Sequence, residues 1–128
     1  MNTLSCKAGV GFPVLRPAGF RILAALDGTC QELGISILIT SGSEERGRLP
    51  TDPHMTGEGV DAGLVGFDTP MILAIRRTMQ QRLGEQFTVL IESPHPVPDL
   101  DVARIMTINP SATAIHLHLQ KRKNTVFP

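Results

Sequence analysis

The stretch Ala114-Ile115-His116-Leu117-His118-Leu119-Gln120 alternates apolar and polar side chains. A period of two marks a strand buried on one face only. Ile115, Leu117 and Leu119 point to a core, and His116, His118 and Gln120 point away from it. Upstream, Phe87 to Glu92 reads as another strand. Residues 93–99, Ser-Pro-His-Pro-Val-Pro-Asp, hold three prolines and cannot form a central strand. No clear crossover helix joins 87–92 to 114–120. This pattern predicts an α+β fold, with helices packed on one side of a largely antiparallel sheet.

The helices announce themselves by their ends. Pro17 suits a first helical turn, and Gly34 supplies the stop after Leu33. Phe20, Leu23, Leu26, Cys30 and Leu33 fall at three- and four-residue steps and predict the buried stripe. A second helix is expected from the N-cap Asp68 and Pro70 to Leu83, before Gly84. Its expected buried face is Met71, Ile72, Ile75, Met79 and Leu83. Ile35 to Thr40 and Gly59 to Val65 read as strands. Residues 1–15 read as an extended or irregular lead-in, with Gly9, Gly11 and Pro13 as breakers. Leu100 to Ile108 fits a short helix or a strand. Residues 41–58 break every periodic pattern, and polar loops of such length inside a domain tend to be functional or disordered.

Composition bounds the function. The 128 residues carry twelve basic and twelve acidic side chains, with 41% apolar residues. That describes one globular domain, with its motif-bearing core at about residues 35–120. Zero net charge excludes a strongly basic nucleic-acid binder, and Lys121-Arg122-Lys123 reads as a solvated strand end. Trp and Tyr are absent, which argues against stacking on bases or sugars. No signal peptide and no membrane span are read, so neither membrane nor nucleic acid is an expected partner. Cys6 and Cys30 form no CxxC pair; Cys30 reads as a buried thiol, and spacing leaves a Cys6–Cys30 disulfide open.

His54, Asp61 and the pair His116/His118 carry the chemistry. His54 ends the long loop, and Asp61 follows seven residues later in a strand. Two histidines at i and i+2 share one strand face, apt for a metal ligand beside an acid/base group. Two histidines and one carboxylate would leave a fourth position on zinc for water. By spacing alone, solvated strand histidines remain the plain alternative.

Asp52-Pro53-His54-Met55-Thr56-Gly57-Glu58-Gly59-Val60-Asp61 resembles the motif S-x-H-x-x-G-x-A-x-D of the zinc D-alanyl-D-alanine carboxypeptidases and their relatives. That group includes lysostaphin-type endopeptidases, phage L-alanyl-D-glutamate endopeptidases and the hedgehog signalling domain. Ile115-His116-Leu117-His118-Leu119 resembles the second motif, a strand bearing HxH. The resemblance implies that His54, Asp61 and His118 bind zinc and that His116 lies beside the metal water. Relatives with a glutamate base place it shortly before the last ligand, where this chain has Ser111-Ala112-Thr113-Ala114. Glu92 is the nearest substitute, with a solvated strand-end charge as its alternative. Asp52 replaces the motif serine and would fix the His54 tautomer, or stand exposed. The arginine of the family that binds a substrate carboxylate has candidates in Arg46 and Arg48, with mobile loop charges as the alternative. His95 belongs either to the cleft rim or to a surface loop.

The resemblance thus implies a zinc-dependent peptidase acting on the peptidoglycan stem peptide, with His116 or Glu92 as catalytic residue. Without a signal peptide, a phage-encoded enzyme reaching the cell wall, or a cytoplasmic dipeptidase, is expected. The alternative is a zinc-binding, catalytically inactive interaction domain of the same fold.

Overall fold

The alternation after Ala114 forms the strand it predicts, and that strand lies in the middle of the sheet. The computed structural model describes residues 2–44 and 47–125. In chain order they build β1 (Leu4–Cys6), α1 (Pro17–Leu33), β2 (Ile37–Ser41), β3 (Gly59–Gly63), α2 (Thr69–Leu83), β4 (Phe87–Ser93), α3 (Leu100–Ala103), β5 (Met106–Ile108) and β6 (His116–Lys121). The fold is α+β: two substantial helices and one short one pack on a six-stranded sheet of order β1-β2-β3-β6-β4-β5. No described helix is long and apolar enough to cross a membrane.

The sheet is mixed. Its centre, β2-β3-β6-β4, is antiparallel as expected. The outer strands β1 and β5 run parallel to β2 and β4. Parallel neighbours need a crossover, which α1 supplies for β1–β2 and the short α3 for β4–β5. The lead-in is therefore not wholly irregular, since Leu4–Cys6 pairs with Ile37–Ile39. The segment 100–108 is both of its alternatives in turn, a helix and then a strand.

Both main helices begin and end at the predicted signals. Pro17 opens α1, and Gly34 closes it in the left-handed conformation. Asp68 caps α2 by accepting from the Met71 N–H at 3.0 Å, a contact worth about 1 kcal/mol. The buried face of α2 is Ile72, Ile75, Thr78, Met79 and Leu83, close to expectation, with Met71 half-buried. The buried face of α1 differs. It consists of Ala18, Gly19, Ile22, Ala25, Leu26, Thr29 and Cys30, while Phe20 is 60% exposed and Leu23 and Leu33 are half-buried. The stripe turns because α1 lies tightly against the long loop. A Cβ on Gly19 would come within 2.3 Å of the Gly57 carbonyl oxygen, so that side admits only small residues.

The helices cover one face of the sheet. Phe87, Val89, Ile91, Leu117, Leu119, Val60 and Ala62 are buried beneath them. The opposite parity, Asp61, Gly63, Leu90, Glu92, His116 and His118, faces an open cleft and is half-buried. Both cysteines are free; Cys30 is buried, which pushes its thiol pKa up, and Cys6 is exposed.

Candidate metal centre

Strand register assembles most of the site. Asp61 on β3 stands opposite His118 on β6, and Gly63 stands opposite His116. On the other side of β6, Glu92 of β4 stands opposite His116. Directly opposed residues share a face with Cβ atoms about 5 Å apart, so these pairings place side chains in contact without any loop.

His54 arrives from the long loop, and the loop is built to hold it. Asp52 accepts from both the backbone N–H and Nδ1 of His54, each at 2.9 Å. Backbone bonds from Thr56 to Asp52, Gly57 to His54 and Glu58 to Pro53 wind 52–58 into tight turns. Gly57 sits at φ +77°, and a Cβ there would lie 2.7 Å from the Val14 carbonyl oxygen. Its own carbonyl accepts from the Arg16 N–H at 3.1 Å, just before α1. The loop is thus clamped to the start of α1, which delivers a buried His54 beside Asp61.

The three groups converge. Asp61 Oδ1 is 3.1 Å from His54 Nε2 and 2.8 Å from His118 Nδ1. The candidate ligand atoms of all three residues lie within 4.8 Å of one another. The remaining ring nitrogens are engaged: His54 Nδ1 with Asp52, and His118 Nε2 with Gln120 Oε1 at 2.6 Å. Such outer contacts fix tautomer and ring orientation at metal sites. A fit test comes from His54 itself. Its Nε2 is buried and makes no hydrogen bond, despite lying near Asp61. Among the described residues the only other such side-chain atom is Arg76 Nε. With Nδ1 donating to Asp52, Nε2 presents a lone pair beside a carboxylate, and a bound cation or a proton shared with Asp61 satisfies both. The buried His/Asp/His group can therefore hold a metal ion.

The charges agree. Burial opposes ionisation of Asp61, yet the hydrogen bond with His118 and the close approach of His54 hold its pKa well below the usual carboxylate range. Burial likewise opposes charge on His118, but the bond to Asp61, its negative charge and Gln120 push the pKa up to about 9. Asp61 and His118 thus stabilise each other's charged forms where the three side chains meet.

A second cluster adjoins the first. His116 Nε2 is 3.0 Å from Glu92 Oε1 and 3.9 Å from Asp61 Oδ2. His116 Nδ1 is 3.0 Å from the Ala114 carbonyl, which only accepts, so that nitrogen carries a proton. The Nε2–Glu92 contact then needs a proton of its own, which gives an imidazolium–carboxylate pair. In keeping with this, the bond to His116 lowers the Glu92 pKa despite burial, with help from the charge on His118 and a bond from Asn109. Burial opposes charge on His116, but the bond to Glu92, the Ala114 carbonyl and the charge of Asp61 raise its pKa. Glu92 is thus a cleft residue and not a solvated strand-end charge.

The other candidates divide. Arg48 lines the same cleft of about 860 Å³, where its guanidinium bonds Ser41 and lies 3.9 Å from Glu44. Arg46 lies outside the described residues. His95 is exposed and does not line the cleft, so it belongs to a surface loop. Three contributors escaped the sequence reading. Gln120 was visible as the third polar residue of the β6 alternation. Asn109 donates to Glu92 Oε1 at 3.2 Å, and only its place in an Asn-Pro turn marked it. Ser41 turns to the Asp61 side because a bulge between Ile39 and Ser41 shifts the β2–β3 register, which no residue type announces. Comparison with protein families, curated proteins and solved structures finds no match for this chain.

Proposed function

We propose that this chain is a zinc-dependent peptidase that hydrolyses a peptide bond in the peptidoglycan stem peptide. The observation that carries the hydrolase reading is the Glu92–His116 pair, which stands beside the His54/Asp61/His118 group without belonging to it. Two imidazoles and one carboxylate suit zinc and leave a coordination position for water. Zinc held there would lower the pKa of its water towards neutrality and polarise the scissile carbonyl. The residues supply the rest. Glu92, already ionised, takes the proton released when water attacks. His116, already protonated at Nε2, faces the developing oxyanion and returns a proton to the leaving amine. Glu92 would then pass the water proton to His116 Nε2 across their 3.0 Å contact, so water and peptide become a carboxylic acid and an amine and both residues return to their starting states. Asn109 holds Glu92 in place.

The substrate class rests on the two motif resemblances and on the cleft lining, whose one Phe, Tyr or Trp ring is Phe67. A cleft with a single such ring among the described residues suits a peptide better than a glycan strand. Glu92 favours this reading over an inactive zinc-binding interaction domain, which would have no use for a paired base. The test is zinc-loaded protein incubated with purified peptidoglycan, followed by mass analysis of released muropeptides. New amine termini are expected from the wild type and not from Glu92→Gln or His116→Ala. Intact muropeptides after wild-type treatment reject the peptidase.

A further inference from the structure

Along the open face, the row after Asp61–His118 is Gly63–His116, about 7 Å further along the strands. An extended peptide advances the same distance every two residues. Gly63 leaves the floor of that row bare: a Cβ there would meet Thr40 Cγ2 at 3.2 Å and the Leu38 carbonyl oxygen at 3.5 Å. Leu38, Val65, Phe67 and Ile115 line the cleft together with His116 and Glu92, which continue the Gly63 row across the sheet. Leu38 is 43% and Val65 70% exposed, so two large apolar side chains face water beside a polar centre. Exposed apolar surface in the lining of a cleft marks a place for an apolar group.

We infer that the trough over Gly63, walled by Leu38, Val65, Phe67 and Ile115, receives the apolar side chain of a residue flanking the scissile bond. The trough is continuous with the metal centre, which fixes its occupant as part of the substrate. Gly63 and Leu38 are the specificity-determining positions. Gly63 keeps the floor low, and Leu38 supplies the wall. This inference rests on the metal-hydrolase reading.

The test separates the two. Zinc-loaded protein is titrated calorimetrically with acetohydroxamate, the chelating group alone, and with the hydroxamates of N-acetyl-leucine, N-acetyl-glutamate and N-acetyl-lysine. The leucine compound is expected to bind about tenfold tighter than the two charged ones. Gly63→Ala and Leu38→Ser should each erase that preference while acetohydroxamate affinity stays within about twofold. Leu38→Ser alters an exposed residue, so it decides the matter if Gly63→Ala fails to fold. Equal affinity for all three side chains, or a preference that survives in the folded variants, overturns the subsite. Failure of acetohydroxamate to bind zinc-loaded wild type instead removes the metal reading and the subsite with it.

Discussion

Asp61 and His118 stand opposite each other on β3 and β6, with Oδ1 2.8 Å from Nδ1. The same Oδ1 lies 3.1 Å from His54 Nε2, so one carboxylate draws both imidazoles together. Asp61→Asn keeps the shape and removes the charge. Zinc bound after dialysis should fall from about one ion per chain to near none, read by elemental analysis. Wild type should gain about 2.7 kcal/mol of stability at zinc a hundredfold above its dissociation constant, and the variant should gain almost nothing.

The metal-free protein should lose stability as pH rises through the neutral range. His118 is held up to about 9 when folded, against an ordinary value of 6.5. A raised pKa adds stability that is full below about 6.5 and gone above about 9. Asp61 acts in the opposite sense: its lowered pKa adds stability that is present above its ordinary 3.8 and lost in acid. Melting curves of chelator-treated protein should therefore peak on the mildly acidic side. Because a ligand histidine must shed its proton, zinc affinity should rise about tenfold per pH unit until His118 is neutral. A flat affinity between pH 6 and about 8 would contradict the assignment of His118 as a ligand.

The second contacts of the ligands should matter almost as much as the ligands. Asp52 fixes His54 through Nδ1, and Gln120 fixes His118 through Nε2. Asp52→Ala and Gln120→Leu should each weaken zinc binding about 10- to 100-fold without abolishing it. Competition with a chromophoric chelator reads this directly. The double variant tests whether the two contacts act independently, since each serves a different imidazole.

What the sequence displayed and what it hid follow from the range of the interactions. The β6 alternation, the Gly34 and Gly84 stops and the Asp68 cap are local, and each produced its element where expected. His54, Asp61 and His118 were legible because two short motifs fix their spacing. Pairings set by partners far along the chain were not legible. Three residues of β1 are too few to show a period, and their parallel partner is more than thirty residues away. Phe20 falls on the stripe that spacing predicts, but the buried face centres on Ala18, Ile22, Ala25 and Thr29, and Gly57 meets the helix at Gly19, where only a glycine fits. Glu92 could be placed on a strand but not on the cleft face, because its face depends on the β4–β6 register.

Gly57 should be intolerant of any side chain. Its positive φ and its contacts with Val14 and Leu15 both oppose a Cβ. Gly57→Ala should cost about 1–3 kcal/mol in urea unfolding, and zinc affinity should fall with it because the same turn presents His54. Loss of stability with unchanged zinc affinity would show that the clamp and the metal centre are independent.

Glu92→Gln separates chemistry from metal binding. Glutamine keeps the size of the side chain but cannot take a proton at neutral pH, and Glu92 is not among the converging ligands. The variant should bind zinc as the wild type does and melt within a few degrees of it. Its turnover of stem peptide should fall about 10²- to 10⁴-fold, the range for loss of a general base. The acid limb of the pH–rate profile should also change. In the proposed mechanism it would follow the Glu92 carboxylate, whose pKa is lowered by the bond to His116. Activity retained near wild-type level in Glu92→Gln would move the base to another group, with His116→Ala as the deciding companion.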